Sequence, residues 1–242
     1  MFRRMELIGA AALVLTAACG GAASPAPQAT PNVTAPPAKV TTSVLASGRI
    51  DSIPAGALFV NYMDLPQAGG GLIKHQHIGG FVYVVQGTHE MDVDGAAPTM
   101  IQPGKAAFIG AGVMHSHVNA ATAANDWWFI GLRAAASRPL PTIVPGQKEL
   151  YTTADLTQIA PGPYTETLSD SQLPAKGIDQ QFGPSLRVVF VIDGTLTVSG
   201  DAAMTGTVTA GQGAYSLPGA NLVLTAGNAG AHYVTFTLTP AN

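Results

Sequence analysis

The sequence predicts an all-β protein built from two related halves. From about Ser43 onward, short β-branched and aromatic runs alternate with Gly, Pro, Asp and Asn, and no long stretch keeps a helical period. Short strands separated by turn residues at regular spacing are typical of a β-sandwich or barrel. A weak internal repeat indicates the second half. Three pairs of glycines share one offset of 107 residues, namely Gly87 and Gly194, Gly104 and Gly211, and Gly112 and Gly219.

The residues around these glycines support a duplication. Residues 82–88 (VYVVQGT) are similar to residues 189–195 (VFVIDGT). At the same offset, His115 corresponds to Leu222, and the stretch that holds His75 and His77 corresponds to residues 179–184, which contain no histidine. Internal similarity at a fixed period indicates repeated structural units. We therefore expect two barrels in tandem, with a histidine set in the first only.

The N-terminus has the pattern of an export signal. Arg3 and Arg4 precede an apolar run over residues 7–15, which is too short to span a bilayer about 30 Å thick. Small residues then lead to Cys19, the only cysteine of the chain. This arrangement resembles a bacterial lipobox, although Leu15 lies one position further upstream than the usual Leu. It predicts a lipoprotein signal peptide at residues 1–18 and lipidation of Cys19. The alternative is an ordinary secretory signal with a chance cysteine.

The rest of the chain divides by composition. Residues 19–42 are rich in Pro, Ala and Thr and are predicted to form a disordered tether behind the lipid anchor. A first domain is expected at residues 43–133, a Pro-rich linker at 134–147 and a second domain at 148–242. The protein would then be exported and anchored to the bacterial cell envelope. The anchor would lie in the outer membrane, facing the periplasm, or on the outer face of the cell membrane.

Charge and cysteine content exclude several classes of protein. Only 10% of the residues are charged and the net charge is −3, with no basic stripe that could bind nucleic acid. A single cysteine cannot form an internal disulfide, so an exported domain must be stabilised by its own core. The sequence leaves open whether the protein forms a homo-oligomer.

Two H-x-H pairs carry the strongest functional signal. His75 and His77 form one pair, and His115 and His117 form the other. Both pairs lie in segments with strand character, where residues i and i+2 point to the same face. Imidazole is a common ligand of Zn, Cu, Fe and Ni. The pairs therefore predict a metal site built from two strands.

The residues around the two pairs resemble the two motifs of the cupin superfamily. Gly69, His75, His77 and Gly87 match the first motif. Gly104, Gly112, His115 and Asn119 match the second, with Gly110 at the position where the family has Pro. The resemblance implies a double-stranded β-helix, a jelly-roll-like barrel, and its weaker repeat over residues 177–228 implies a bicupin. It also implies a divalent transition metal, either Fe, Mn, Ni, Cu or Zn.

One ligand of the cupin motif is absent. The family's glutamate would fall at Gly80, Phe81 or Val82, and none of these can bind a metal. The resemblance therefore implies a three-histidine site of His75, His77 and His115, and it leaves open whether His117 is a fourth ligand. Three neutral imidazoles leave the charge of the ion uncompensated, which favours an anionic small molecule as ligand or substrate.

Two functions fit these residues. One is a metal-dependent oxygenase or isomerase that acts on a small anionic substrate, because three protein ligands leave open positions on the ion. The other is a non-catalytic cupin that serves as a surface-anchored module for a small ligand or a metal. The absent glutamate, the lack of ligand histidines in the second half and the predicted lipid anchor favour the latter.

Other residues of the sequence are weaker candidates. His89 follows the turn at Gly87 and is expected to be solvated, and His232 is expected to be structural. Arg133 could hold an anion, although an arginine at a strand end is usually solvated. Several large side chains are expected to form core or to line an apolar pocket, namely Tyr62, Met63, Met114, Trp127, Trp128 and Phe129.

Lipidation can be tested by replacing Cys19. We expect the mature protein to fractionate with membranes, because each buried CH₂ group of an acyl chain contributes about 0.8 kcal/mol. The Cys19→Ser variant should be released from the membrane or remain an uncleaved precursor, as seen by fractionation and immunoblotting. Unchanged processing and fractionation of that variant would rule out a lipid on Cys19.

Overall fold

The computed structural model describes residues 39–241, which form sixteen strands and one turn of 3-10 helix. The predicted signal peptide, Cys19 and nearly all of the tether lie outside these residues. The strands of the first half are β1 (Thr41–Ile50), β2 (Leu58–Gln67), β3 (Gly70–Gly71), β4 (Gly80–Gln86), β5 (His89–Val93), β6 (Thr99–Ile101), β7 (Ala106–Ile109), β8 (His115–Asn119) and β9 (Asn125–Ala134). The 3-10 turn (Ala135–Ser137) follows, and then β10 (Lys148–Thr152), β11 (Tyr164–Leu173), β12 (Ile178–Gln181), β13 (Leu186–Gly200), β14 (Gly206–Thr209), β15 (Gly213–Ser216) and β16 (Leu222–Pro240). No helix in this part of the chain is long and apolar enough to cross a membrane.

The strands form three antiparallel sheets. In the first half, a five-stranded sheet has the order β10-β2-β9-β4-β7, and a four-stranded sheet has the order β3-β8-β5-β6. In the second half, a seven-stranded sheet has the order β1-β11-β16-β13-β14, with β12 beside β16 and β15 beside β13. The predicted all-β fold of two jelly-roll-like barrels is therefore confirmed.

The strands repeat along the chain as the glycine offset predicts. Strands β2, β3, β6 and β7 correspond to β11, β12, β14 and β15, while β4 and β5 are fused in β13, and β8 and β9 are fused in β16. The paired glycines share a left-handed backbone, with φ of 74° at Gly87 and 81° at Gly194. A side chain at either position would be strained and would collide with backbone or side-chain atoms nearby. Glycine is therefore required at the same turn in both halves.

The two halves exchange their first strands. Strand β1 pairs with β11, in the sheet of the second half, and β10 pairs with β2, in the sheet of the first half. The domain boundaries at residues 43–133 and 148–242 stay a prediction, and neither of the two larger sheets is formed by one of these ranges alone. Each barrel needs an edge strand from the other half, which couples their folding.

A shared apolar core lies between the two halves. Tyr62 is one of the largest side chains in this core. This core contains Phe81 and Ile130 of the first half and Phe190 and Phe236 of the second, all almost fully buried. The Tyr62 hydroxyl donates a hydrogen bond to the Val188 carbonyl (2.8 Å) and accepts one from the Phe236 amide (3.2 Å). Burial of these apolar side chains stabilises the pairing of the two barrels.

Each barrel also has a core of its own. The first-barrel core contains Met63, Trp127 and Phe129. The second-barrel core contains Leu222 and Leu224, which occupy the positions that correspond to His115 and His117 and are fully buried. The second barrel is therefore packed with aliphatic side chains where the first has histidines.

One acidic side chain is buried among the apolar residues. Glu166, on β11, is fully buried beside the Gly79 backbone, and neither of its carboxyl oxygens has a hydrogen-bond partner among the described residues. Loss of solvation raises the pKa of Glu166 to about 8. Its carboxyl is therefore protonated in the folded protein at neutral pH, whereas the unfolded chain would ionise it.

The Glu166→Gln variant should remove a pH dependence of stability. Between the unfolded pKa near 4.5 and the folded pKa near 8, the folded state holds a proton that the unfolded state loses. The free energy of unfolding of the wild type should thus fall as pH rises through this window and level off above it. The glutamine variant should match the wild type near pH 4.5 and be more stable at pH 8, measured by thermal unfolding at each pH. Parallel pH profiles for the two proteins would contradict this account.

Candidate metal centre

The two H-x-H pairs face each other across a backbone bridge. His75 and His115 form an isolated antiparallel bridge, in which each amide donates to the other residue's carbonyl at 2.9 and 3.0 Å. The imidazole rings of this pair lie 4.5 Å apart, and the rings of His77 and His115 lie 5.1 Å apart. The i+2 spacing places the second histidine of each pair on the same side, so all four rings converge.

The four histidines could hold one metal ion. One ring nitrogen of each of His75, His77, His115 and His117 lies within 4.8 Å of the others. Two metal–nitrogen bonds of about 2.1 Å place their nitrogens at most about 4.2 Å apart. Nitrogens 4.8 Å apart would exceed this limit, so the most distant rings must move closer together to bind one ion.

Backbone carbonyls orient two of the rings. His75 Nδ1 lies 2.9 Å from the Ile73 carbonyl oxygen, and His115 Nδ1 lies 2.9 Å from the Val113 carbonyl oxygen. Each Nδ1–H donates to a carbonyl, which leaves Nε2 with a free lone pair, the usual arrangement of a metal-ligating histidine. His115 Nε2 is buried without a hydrogen-bond partner among the described residues.

Burial keeps three histidines of the cluster neutral. Loss of solvation, aided by the charge of Arg133 and by the neighbouring histidines, lowers the pKa of His77 to about 2. Loss of solvation also lowers the pKa of His115, despite the contact with the Val113 carbonyl, and that of His117. These three imidazoles are uncharged at neutral pH, which is the protonation state that binds a metal.

His117 lies deeper than the first pair, between two buried side chains. It is fully buried and its ring stacks on Trp127, with 4.4 Å between centroids. Its Nδ1 lies 2.9 Å from Nε2 of His89, and its own Nε2 has no partner in the described part of the chain. The structure thus brings His117 into the cluster with a free nitrogen, as it does His115.

His89 is a residue of the site whose position was predicted wrongly from the sequence. It was expected to be solvated after the turn, and this is wrong, because it is fully buried against Trp127 and His117. The strand β5 begins at His89, and its alternation turns His89 and Met91 inward together. In the sequence, His89 lies two residues before the apolar Met91, and this spacing indicates that both side chains point to the same, buried face of a strand.

Arg133 is less exposed to solvent than is usual for an arginine at a strand end. Its guanidinium is partly buried and lies over the Phe129 ring, 4.3 Å from the centroid. Its Nη1 lies 3.4 Å from His77 Nδ1, and its Nε donates to Asn61 Oδ1 at 3.4 Å. Loss of solvation lowers the pKa of Arg133 to about 10, so it remains charged at neutral pH.

The other candidates occupy varied positions. His232 lies away from the cluster and pairs with Asp170. Trp127 is in the first-barrel core, and Trp128 packs against the shared core, so both faces of β9 are buried. Met114 is partly exposed, at 38%.

A cavity of about 650 Å³ opens beside the histidines. His75, His77 and Arg133 line it, together with residues of the predicted linker. Its apolar wall is formed by Met63, Leu65, Leu72, Ile73, Leu140 and Ile143. Gln147 closes the linker segment into a loop, because it accepts from the Ile143 amide (2.9 Å) and donates to the Pro141 carbonyl (3.1 Å). The segment over residues 134–147 thus helps to build the cavity.

Comparison with known families identifies the first barrel. Residues 61–131, which include all four histidines, match the Cupin domain family. The first barrel is a cupin domain. Comparison with curated protein sequences finds no match for the chain.

Solved structures support a bicupin fold for the whole described chain. Pumpkin pro-11S globulin is similar with a TM-score of 0.51 at 11% identity, over 82% of this chain and 86% of that one. The coconut allergen cocosin has a TM-score of 0.52 at 10% identity, over 82% and 85%. Pirin YhhW of Escherichia coli, in complex with nickel(II), has a TM-score of 0.50 at 15% identity, over 77% and 85%. At these identities the likeness concerns the fold alone.

The tautomer of His89 decides whether His117 can bind a metal in this cupin domain. If His89 Nε2 accepts from His117 Nδ1–H, the Nε2 lone pair of His117 is free for an ion. If His89 Nε2 instead donates, the proton of neutral His117 moves to its Nε2 and blocks ligation. Asn125 Nδ2 donates to the Thr88 carbonyl at 2.7 Å and lies 3.4 Å from His89 Nδ1, a contact that favours an unprotonated Nδ1 and a protonated Nε2. Metal binding by His117 Nε2 therefore requires the proton of His89 to move to Nδ1.

We predict that His89→Leu lowers metal affinity. Removing the partner that orients a ligating histidine typically costs 10–100-fold in affinity. The dissociation constant for Zn²⁺ should therefore rise by about that factor, measured in competition with a chromophoric chelator. Thermal unfolding of the metal-free proteins serves as the control for folding. An affinity equal to that of the wild type, in a folded variant, would mean that His89 does not orient a ligand.

Proposed function

We propose that the cupin domain binds one divalent transition metal and acts as an oxygenase on a small anionic organic molecule. His75, His77 and His115 would be ligands, and His117 would be the fourth. The observation that carries the proposal is the pair of buried Nε2 atoms of His115 and His117, which have no partner among the described residues. A buried polar atom without a partner is costly, and an ion would satisfy both.

The donor set fits such an ion. Four imidazole ligands suit Fe, Mn, Ni, Cu or Zn, and affinity order alone favours Cu²⁺ or Zn²⁺. His75 and His77 line the cavity, whereas His115 and His117 lie fully buried, so the open positions of the ion would face the cavity. Pirin YhhW, which shares the fold, was crystallised with nickel(II). When bound, the metal would supply Lewis-acid and, for the redox-active ions, electron-transfer chemistry.

The charge of the site favours an anion. With imidazole ligands only, the protein does not neutralise the +2 charge of the ion, and Arg133 adds a further positive charge. Among the residues that the structure describes, none of those lining the cavity is acidic. A small anionic substrate would therefore be attracted to the cavity and to the open positions of the metal.

The residues that line the cavity support an oxygenase more than an isomerase. An isomerase needs a side chain that moves a proton, such as a carboxylate, lysine or tyrosine. The described lining contains none of these, and its histidines are assigned to the metal. An oxygenase needs a metal with open positions for two reactants, and it needs apolar surroundings. The cavity provides the apolar surroundings.

A non-catalytic binding module is the second candidate function. The same absence of acid–base side chains favours it, as does the second barrel, where Leu222 and Leu224 replace two of the histidines. In this case the protein would hold a metal or a small ligand at the cell envelope. The predicted lipid on Cys19 would tether it there.

Metal binding should depend on the four histidines. Wild-type protein should hold one ion per chain after dialysis, measured by elemental analysis. His75→Ala, His77→Ala and His115→Ala should each lower occupancy strongly, because each removes a ligand. His232→Ala is the matched control and should not change it. A loss in His117→Ala as large as that in His115→Ala would support four-histidine ligation, and absence of stoichiometric metal in the wild type would contradict the proposal.

Catalysis is tested separately with an oxygen electrode. Metal-loaded protein should consume oxygen with a small phenol, diketone or thiol acid, and His115→Ala should not. Stoichiometric metal without turnover across such a panel would favour the non-catalytic module.

A further inference from the structure

Arg133 carries a charge that no acidic side chain within residues 39–241 balances. It lies on the inward face of β9, following Trp127, Phe129 and Gly131 at alternate positions. In the described part of the chain, none of the ion pairs involves Arg133. Its contact with the Phe129 ring is favourable but supplies no oxygen acceptor for its N–H groups. A partly buried guanidinium without a carboxylate is uncommon, since buried charges are normally paired.

Donors exceed acceptors around this guanidinium. Five N–H groups are available, and its two hydrogen-bond contacts, to Asn61 Oδ1 and to His77 Nδ1, are both long at 3.4 Å. Asn61 is fully buried, and its Nδ2 has no acceptor among the described residues. If His77 binds a metal through Nε2, its Nδ1 carries a proton and becomes a further donor facing Arg133. An anionic oxygen between them would satisfy these groups.

The cavity beside Arg133 is mainly apolar. Leu65, Leu72 and Ile73 contribute one part of its wall, and Leu140 and Ile143 of the linker segment contribute another. A volume of about 650 Å³ is within the range of small-molecule sites. The ligand should therefore combine one negative group with an apolar body.

We infer that the cavity binds a small carboxylic acid with an apolar body, whose carboxylate is held by Arg133. The planar guanidinium matches a carboxylate in a bidentate manner. Arg133 is the one Lys or Arg side chain among the described residues that line the cavity, and in the metal-free protein a single arginine does not neutralise a phosphate dianion, so a carboxylate is the better match. The inference rests on the proposed function in one respect only: the apolar body of the bound acid would reach the proposed metal.

The test uses benzoate as probe and benzamide as its neutral counterpart. Binding is measured by calorimetry on the full chain, both loaded with Zn²⁺ and stripped with a chelator. Arg133→Gln removes the charge. Arg138→Gln is the matched control, because Arg138 lies over the Phe59 ring at 3.9 Å, has Asp155 as its ion-pair partner and does not line the cavity.

Benzoate should bind the wild type at least about tenfold more tightly than benzamide does, in the stripped and in the loaded protein. Arg133→Gln should remove this preference in the stripped protein and weaken benzoate binding about tenfold in the loaded one, with Zn²⁺ affinity retained. Arg138→Gln should behave as the wild type. The stripped protein contains no metal. The comparison of benzoate with benzamide in that protein therefore remains a valid test even if the metal proposal fails.

Three results would overturn the inference. They are equal affinity for benzoate and benzamide in the stripped wild type, no benzoate binding at millimolar concentration, and unchanged benzoate binding in Arg133→Gln. If Arg133→Gln does not fold, the comparison of the two probes in the stripped wild type decides alone. Benzoate binding that requires Zn²⁺ and is unaffected by Arg133→Gln would assign the anion to the metal and contradict the role of Arg133.

Discussion

Two backbone hydrogen bonds between His75 and His115 fix the geometry on which the site depends. They hold the two H-x-H segments side by side, so that rings from different strands meet at one point. Carbonyls two residues upstream then set the tautomers of these same two histidines. A site built on paired backbone is more precise than one built on free loops, since its ligands are positioned before an ion arrives.

The second barrel supports this site without duplicating it. Its aliphatic residues, among them Leu222 and Leu224, fill the space that the histidines occupy in the first barrel. The exchange of β1 and β10 ties each barrel to the sheet of the other, and Tyr62 links their shared core. The first barrel contains a polar cluster and an open cavity, and the apolar core that it shares with the second barrel contributes to its stability.

Sequence reasoning found the fold and the four histidines, and it missed the groups around them. Strand alternation, a local property, places both histidines of each H-x-H pair on one face. The internal repeat is visible because the turns require glycine at the same positions in both halves. His89 was misassigned, and Arg133 was left between an anion-binding and a solvated position, because the burial of both residues depends on which strands pack behind them. The partners of β1 and β10, and the isolation of Glu166, likewise depend on contacts between residues far apart in the chain.

X-ray absorption spectroscopy of the metal-loaded protein tests the central claim most directly. The account predicts one ion per chain with imidazole nitrogens at about 2.0–2.2 Å as its main protein ligands, because His75, His77, His115 and His117 lie in the first barrel alone. The number of imidazoles that fit the spectrum should fall by one in His117→Ala. A shell made of oxygen only, or two ions per chain, would contradict a single four-histidine site.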